Sequence, residues 1–240
     1  MTRLVLFTRY PEAGRAKTRL IPALGAEGAA RVHKVLTERT VALLPGAEVH
    51  FTGANADAFK GWLGDGFTYV EQPAGDLTDR LLAALEISVF ASEARQSRLC
   101  AGDTGLLGFC EAEVYPERLQ GSRRARNDES KRPRQTRDFA PVIFFGADTP
   151  DLTVAHVTSA IEALKTNEVV IGPAEDGGYY LIGVAGPLTS LFTDMEWSTP
   201  RVLPETLARL AAMNIEPVML ETLADCDRPE DVARWPWLTA

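Results

Sequence analysis

Cysteine is scarce: Cys100, Cys110 and Cys226 are the only three in 240 residues. An odd number without Cys-x-x-Cys spacing supports neither a disulfide framework nor a zinc site, and free thiols fit a cytoplasmic protein. His33, His50 and His156 stand apart, with no HExxH or triad spacing, so each reads as incidental. No apolar run approaches the ~18 residues of a membrane span. The opening MTRLVLFTRYPEAG has too short an apolar core for a signal peptide and no small-residue cleavage site. Lys and Arg number 25 against 33 Asp and Glu, a net charge of −8, which argues against a general nucleic-acid binder. A local basic cluster would still suffice for a phosphorylated small molecule. The Walker pattern GxxxxGK[ST] and the dinucleotide pattern GxGxxG are both missing, and no repeat recurs at a fixed period.

What is present is an alternation of strands and helices. A chain of this length can form one domain that buries roughly 70–75% of its unfolded surface. Its 45% apolar and 24% charged residues are ordinary for a soluble globular protein. Apolar stretches 3–8, 47–52, 67–72, 140–146, 168–174, 179–184 and 215–221 read as strands. Segments 26–44, 57–63, 77–90, 153–166 and 199–213 carry helical spacing, and a last helix starts in RPEDVARW. Thr153 and Thr199 are expected as N-caps, with Pro200 at the first helical position. Such alternation implies βαβ crossovers, a mainly parallel sheet covered on both faces, and ligands beyond the carboxyl ends of the strands. Residues 91–139 exceed a usual connection, and their later part is polar and charge-dense; they read as an insertion into a single domain spanning 1–240.

Several segments could carry chemistry. PEAGRAKTRL (11–20) follows the first strand and sets Arg15, Lys17 and Arg19 beside a glycine. Guanidinium forks and an ammonium there can neutralise a diphosphate, or form no more than a solvated basic loop. GADTPDL (146–152) places Asp148 directly beyond a strand end, where a carboxylate can hold Mg²⁺ or Mn²⁺ together with substrate phosphates, or simply terminate the strand in a turn. Asp151 sits just before a helix, where the dipole favours an acid. In GPAEDGGYYLIG (172–183), Asp176 precedes Gly177 and Gly178. This is a hairpin-turn signal, and equally a place where a sugar can approach the backbone while Asp176 accepts from a hydroxyl. DCDRPEDV (225–232) offers Asp227, either as a capping box with Glu230 or as a second metal carboxylate. Trp197 in MEWSTP is core, or stacks on a base or sugar.

Taken in order, FTRYPEAGRAKTRLIPALG, GDLTDRL, GADTPDLT, GPAEDGGYYLIG, LFTDMEWST and DCDRPEDV resemble a bacterial family of small glycosyltransferase-like proteins of the GT-A, nucleotide-diphospho-sugar transferase superfamily. That family includes radical-SAM/selenodomain-associated and arsenosugar-biosynthesis-type transferases. It is related to 2-phospho-lactate guanylyltransferase and the molybdenum-cofactor nucleotidyltransferases. The resemblance covers most of the chain outside 91–139. It implies a three-layer α/β/α sandwich with a mixed, mainly parallel sheet and a nucleotide site at the strand ends. It further implies Arg15, Lys17 and Arg19 as phosphate contacts, Asp148 and Asp227 as metal ligands, and Asp176, Gly177 and Gly178 in the donor or acceptor pocket. The partners it implies are a nucleotide or nucleotide-sugar and a small-molecule acceptor. The G-G-x-x-x-R signature of many sugar nucleotidyltransferases is missing, which favours glycosyl over nucleotidyl transfer; a non-catalytic nucleotide binder is the alternative of another class.

Overall fold

A strand covered on both faces needs apolar side chains at every position. Val142–Phe145 (β4) meets that requirement with four fully buried residues and lies at the centre of the sheet. In the computed structural model, which describes residues 1–87 and 139–239, seven strands form one sheet in the order β3-β2-β1-β4-β6-β5-β7. The others are β1 (Arg3–Arg9), β2 (Glu48–Thr52), β3 (Thr68–Glu71), β5 (Val169–Pro173), β6 (Tyr179–Val184) and β7 (Val218–Met219). β1 pairs in parallel with β2 and β4, β2 with β3, and β5 with β7; β6 runs antiparallel to both β4 and β5. The sheet is therefore mixed and mainly parallel.

The period of two splits the strand side chains between two cores. Leu6, Val49, Phe51, Ile143, Phe145 and Val170 face one side, where α2 (Ala56–Leu63), α4 (Val154–Ala163) and the end of α1 (Ile21–Ala42) cover them. Val5, Phe144, Ile171 and Ile182 face the other, against α3 (77–87 as far as described) and α5 (Val202–Ala212). Burying an aromatic ring such as Phe145 stabilises by roughly 2–3 kcal/mol, so these layers supply the main driving force of the fold. A third cluster joins Leu20, Ala29, Val32 and Leu36 of the first helical region to Ala224, Cys226, Trp235 and Leu238. It fastens the two ends of the described chain to each other beside the sheet.

Several boundaries differ from the sequence expectation. α1 begins at Ile21, with Gly25 (φ 69°, ψ 169°) interrupting it, and its regular part starts where periodicity placed it. Thr199 does not cap α5, which starts at Val202. Its hydroxyl donates to Glu196 O at 2.9 Å, and the helix-end N–H of Leu203 is taken by Gly177 O at 2.9 Å. Pro204 then falls within the first turn, where its missing N–H is harmless. The strand expected over 215–221 shrinks to the two residues of β7. Of the helix expected at 77–90, the last three residues lie outside the described chain, as does the expected insertion apart from residue 139. Among the described residues, no helix is long and apolar enough to cross a membrane.

Candidate functional site

The parallel strands deliver their carboxyl ends to one edge of the sheet, and the reversal of β6 brings its amino end there too. The turn 174–178 therefore faces the same opening as the ends of β1 and β4. A cleft of about 250 Å³ lies along this edge, with Gly146, Asp148, Asp176, Trp197, Ser198 and Asp227 among its walls.

The basic loop is organised by which of its residues are apolar. Ala16 and Leu20 are fully buried. Gly14 turns the chain at φ 82°, and Lys17 adopts a left-handed conformation (φ 47°, ψ 47°), uncommon for a residue with a side chain. The result is an alternation: Arg15 and Arg19 point outward, while Lys17 points inward and is only 4% exposed. Its Nζ donates to Asp148 Oδ1 at 2.6 Å, to Cys226 O at 2.8 Å and to Asp227 Oδ1 at 3.2 Å. Arg19 Nη1 donates to Asp227 Oδ2 at 2.5 Å. Arg15 pairs with Glu12 at 3.3 Å on the surface.

Asp148 stands three residues beyond β4, and its carbonyl accepts from Cys226 N at 2.8 Å, which ties the strand end to segment 225–227. Half of its side chain is exposed to the cleft. Burial pulls its pKa upward, but the charge and hydrogen bond of Lys17 outweigh that and hold it below the usual carboxylate range. For Lys17, burial would lower the pKa, yet the two carboxylates raise it, so both partners stay ionised.

Asp227 does not form a capping box with Glu230. Asp231 fills that place, accepting from Asp227 N at 3.0 Å and Arg228 N at 2.7 Å at the start of α6 (Pro229–Val232). The carboxylate of Asp227 is thus free for Lys17 and Arg19. Asp151 also departs from its helix-start reading: it accepts from Trp235 Nε1 at 3.1 Å and stays out of the cluster. Asp176 Oδ1 accepts from Gly178 N at 2.8 Å, closing the hairpin turn, and the residue lines the cleft. Gly177 has φ 88°, and a Cβ there would meet Pro200 O at 2.5 Å. Trp197 is partly buried; its Nε1 donates to Thr78 Oγ1 at 2.8 Å, and one edge faces the cleft.

The structure thus gathers Lys17, Arg19, Asp148 and Asp227 at one point, with Asp176, Gly178 and Trp197 along the adjoining wall and Arg15 at the rim. It also adds residues to which the sequence assigns no role in the site. Asp225 lies beside Asp176 on the wall, its pKa raised by burial and then by the neighbouring acids Asp176, Asp227 and Asp231. The extended period of two, which sets Asp225 and Asp227 on one side, was the available signal. Ser198 lines the cleft from a left-handed conformation (φ 62°), and nothing in its neighbourhood in sequence marks it. His33 sits under the basic loop; its Nε2 donates to Arg9 O at 3.0 Å, and burial lowers its pKa, so it is neutral.

The donor set bears on a metal. Among the described residues, no three His, Cys, Asp or Glu side chains come together as a ready-made cage. Asp148 and Asp227 nevertheless converge on one cation, the Lys17 ammonium, through hard oxygen donors. That suits Mg²⁺ or Mn²⁺, which takes one or two protein carboxylates and completes its shell from phosphate and water.

The fold of this chain recurs in solved structures. A protein from Desulfovibrio desulfuricans G20, provisionally assigned as a nucleotide-diphospho-sugar transferase, has a similar structure: TM-score 0.69 at 22% identity, over 98% of this chain and 87% of that one. The 4-diphosphocytidyl-2C-methyl-D-erythritol synthase of Anaerococcus prevotii gives 0.50 at 9% identity, over 99% and 95%. A second structure of a synthase of that name gives 0.52 at 7%, over 100% and 98%. At such identities the likeness is one of fold. The family described as "Uncharacterized protein conserved in bacteria (DUF2064)" matches residues 120–199, a stretch holding Asp148, Asp176, Gly177, Gly178 and Trp197 but neither the basic loop nor Asp227. No curated protein is a significant match.

Proposed function

We propose that this chain is a metal-dependent transferase that moves a glycosyl group from a nucleotide-sugar to a small acceptor. The observation that carries the reading is the convergence of Asp148, Asp227 and Lys17 at the strand ends, with Arg19 paired to Asp227 and Arg15 at the rim. Arg15 and Arg19 present planar guanidinium donors suited to a diphosphate, and Lys17 lies close enough to share its charge. Asp148 and Asp227 would hold Mg²⁺ or Mn²⁺. The ion, when bound, would neutralise negative charge developing on the departing diphosphate.

The opposite wall suits an acceptor. Gly178 lines the cleft with bare backbone while Gly177, packed against Pro200, shapes the turn from behind; Trp197 gives an apolar edge, and the second oxygen of Asp176 can accept a hydroxyl proton. In bond terms, the anomeric carbon loses its bond to the diphosphate oxygen and gains one to the acceptor oxygen. The acceptor's proton passes to the Asp176 carboxylate.

Calorimetric titration with a panel of nucleoside diphosphates plus Mg²⁺ or Mn²⁺ tests this. Binding of at least one is expected, and failure of the folded protein to bind any would end the reading. Asp148→Asn should abolish metal-dependent turnover. Ligand binding with no turnover in either form would instead identify a non-catalytic binder. Pyrophosphate release from a nucleoside triphosphate would identify nucleotidyl transfer.

A further inference from the structure

An ammonium has three N–H donors, and Lys17 finds three acceptors within 3.2 Å: Asp148 Oδ1, Cys226 O and Asp227 Oδ1. It is saturated as well as buried. The second oxygen of Asp227 is engaged by Arg19 at 2.5 Å, so among the described residues only Asp148 of the two carboxylates keeps an oxygen without a cationic partner. A divalent ion bridging both acids would stand at about 2.0–2.2 Å from its oxygen ligands. Nζ now lies 2.6 Å and 3.2 Å from one oxygen of each acid, between the two groups that such an ion would need, and two cations cannot share those oxygens without strong repulsion.

We infer that Lys17 is a tethered counter-ion: it takes the position of the divalent cation in the metal-free protein, and must withdraw before that cation can bridge Asp148 and Asp227. This rests on the metal-dependent reading above and adds an order to it. The four-carbon stem can swing Nζ toward Arg15 and Arg19 without moving the loop backbone, which Ala16 and Leu20 anchor. Phosphates held by those arginines attract the ammonium outward. Phosphate binding therefore vacates the metal position, and metal binding releases a cation to the phosphates. Each ligand raises the affinity for the other, as linkage requires. Metal alone binds weakly, because it must first expel a fully hydrogen-bonded charge.

Lys17→Met keeps the length of the stem and removes the charge. Titration of Mn²⁺ alone, with free ion read by electron paramagnetic resonance, should show the variant binding at least about ten-fold more tightly than the wild type. Equal or weaker binding by a folded variant overturns the inference. Should the variant not fold, acetylation of the wild-type lysines, read by peptide mass spectrometry, gives a second arm. Without metal, Lys17 should react far more slowly than the exposed Lys34 and Lys165. Mn²⁺ at a concentration that the resonance titration shows to saturate the wild type should accelerate Lys17 several-fold and leave the other two unchanged; an unchanged Lys17 rate at saturation overturns the inference. The two claims fail separately. Nucleotides that bind with Mn²⁺ while neither arm responds would leave the functional reading standing and remove this one. Absence of any nucleotide binding beside a tighter Mn²⁺ site in the variant would do the reverse.

Discussion

Gly177→Ala tests whether the hairpin turn and the entry to α5 form one rigid wall. Two costs are separable. A residue with a side chain at φ 88° pays about 1–2 kcal/mol for the left-handed region. The new Cβ would also meet Pro200 backbone atoms: O at 2.5 Å, Cα at 2.7 Å and C at 2.9 Å. Carbon atoms prefer separations of about 3.5–4.0 Å, so the turn and segment 198–200 would have to part by roughly 0.8 Å. Backbone cannot rotate aside as a side chain can, and overpacking of this kind costs about 1–3 kcal/mol. The sum is about 2–5 kcal/mol, or a melting point lowered by roughly 4–20 °C in a domain of this size. Gly46→Ala is the control. Gly46 has φ 69° and nothing within 4 Å of the place its new methyl would take, so it should lose only the left-handed increment. Urea unfolding of both variants measures the difference. If Gly177→Ala lost no more stability than Gly46→Ala, the contact with Pro200 would not be rigid, and the account of this wall would be refuted.

Two further outcomes follow from other contacts. Burial raises the pKa of Glu48, but hydrogen bonds from Arg3 and His50, and then their charges, lower it to about 2 from 4.5. A depressed carboxylate stabilises the fold above its unfolded pKa and loses that contribution as pH falls toward the folded value. At most about 3 kcal/mol, and less after screening by water at this half-buried site, should therefore disappear between pH ~4.5 and ~2, and urea midpoints should show a flatter acid limb in Glu48→Gln; an identical limb would refute it. Trp197→Phe removes the N–H donated to Thr78, whose hydroxyl in turn donates to Phe192 O at 3.1 Å. It should cost about 0.5–1.5 kcal/mol, and its effect should be less than additive with Thr78→Ala; strict additivity in thermal melts would show that the two act apart.

The layout was open to reading wherever a local pattern dictates structure. Val142–Phe145 is apolar throughout because both its faces are covered, and the Asp-Gly turn between β5 and β6 announces a hairpin by backbone conformation alone. Thr199 misled because a good capping residue stands before a helical pattern, while the decisive partner of the helix end, Gly177 O, lies more than twenty residues upstream. Asp227 and Glu230 have capping-box spacing, yet Asp231 reaches the backbone first. The charges of the 11–20 loop were visible, whereas the inward turn of Lys17 depends on the burial of Ala16 and Leu20 and on oxygens some 209 and 210 positions away. Partners so remote leave no trace in local spacing.

That separation governs when the site comes into being. Every strand from β2 to β7 lies in sequence between the lysine and its second acid, so both can meet only when that whole span has been made. A nascent chain could build most of the sheet and still lack the groups that close the cleft. Clipping the polypeptide shortly before residue 225 would keep all seven strands in the chain and remove one of the two carboxylates that grip Lys17.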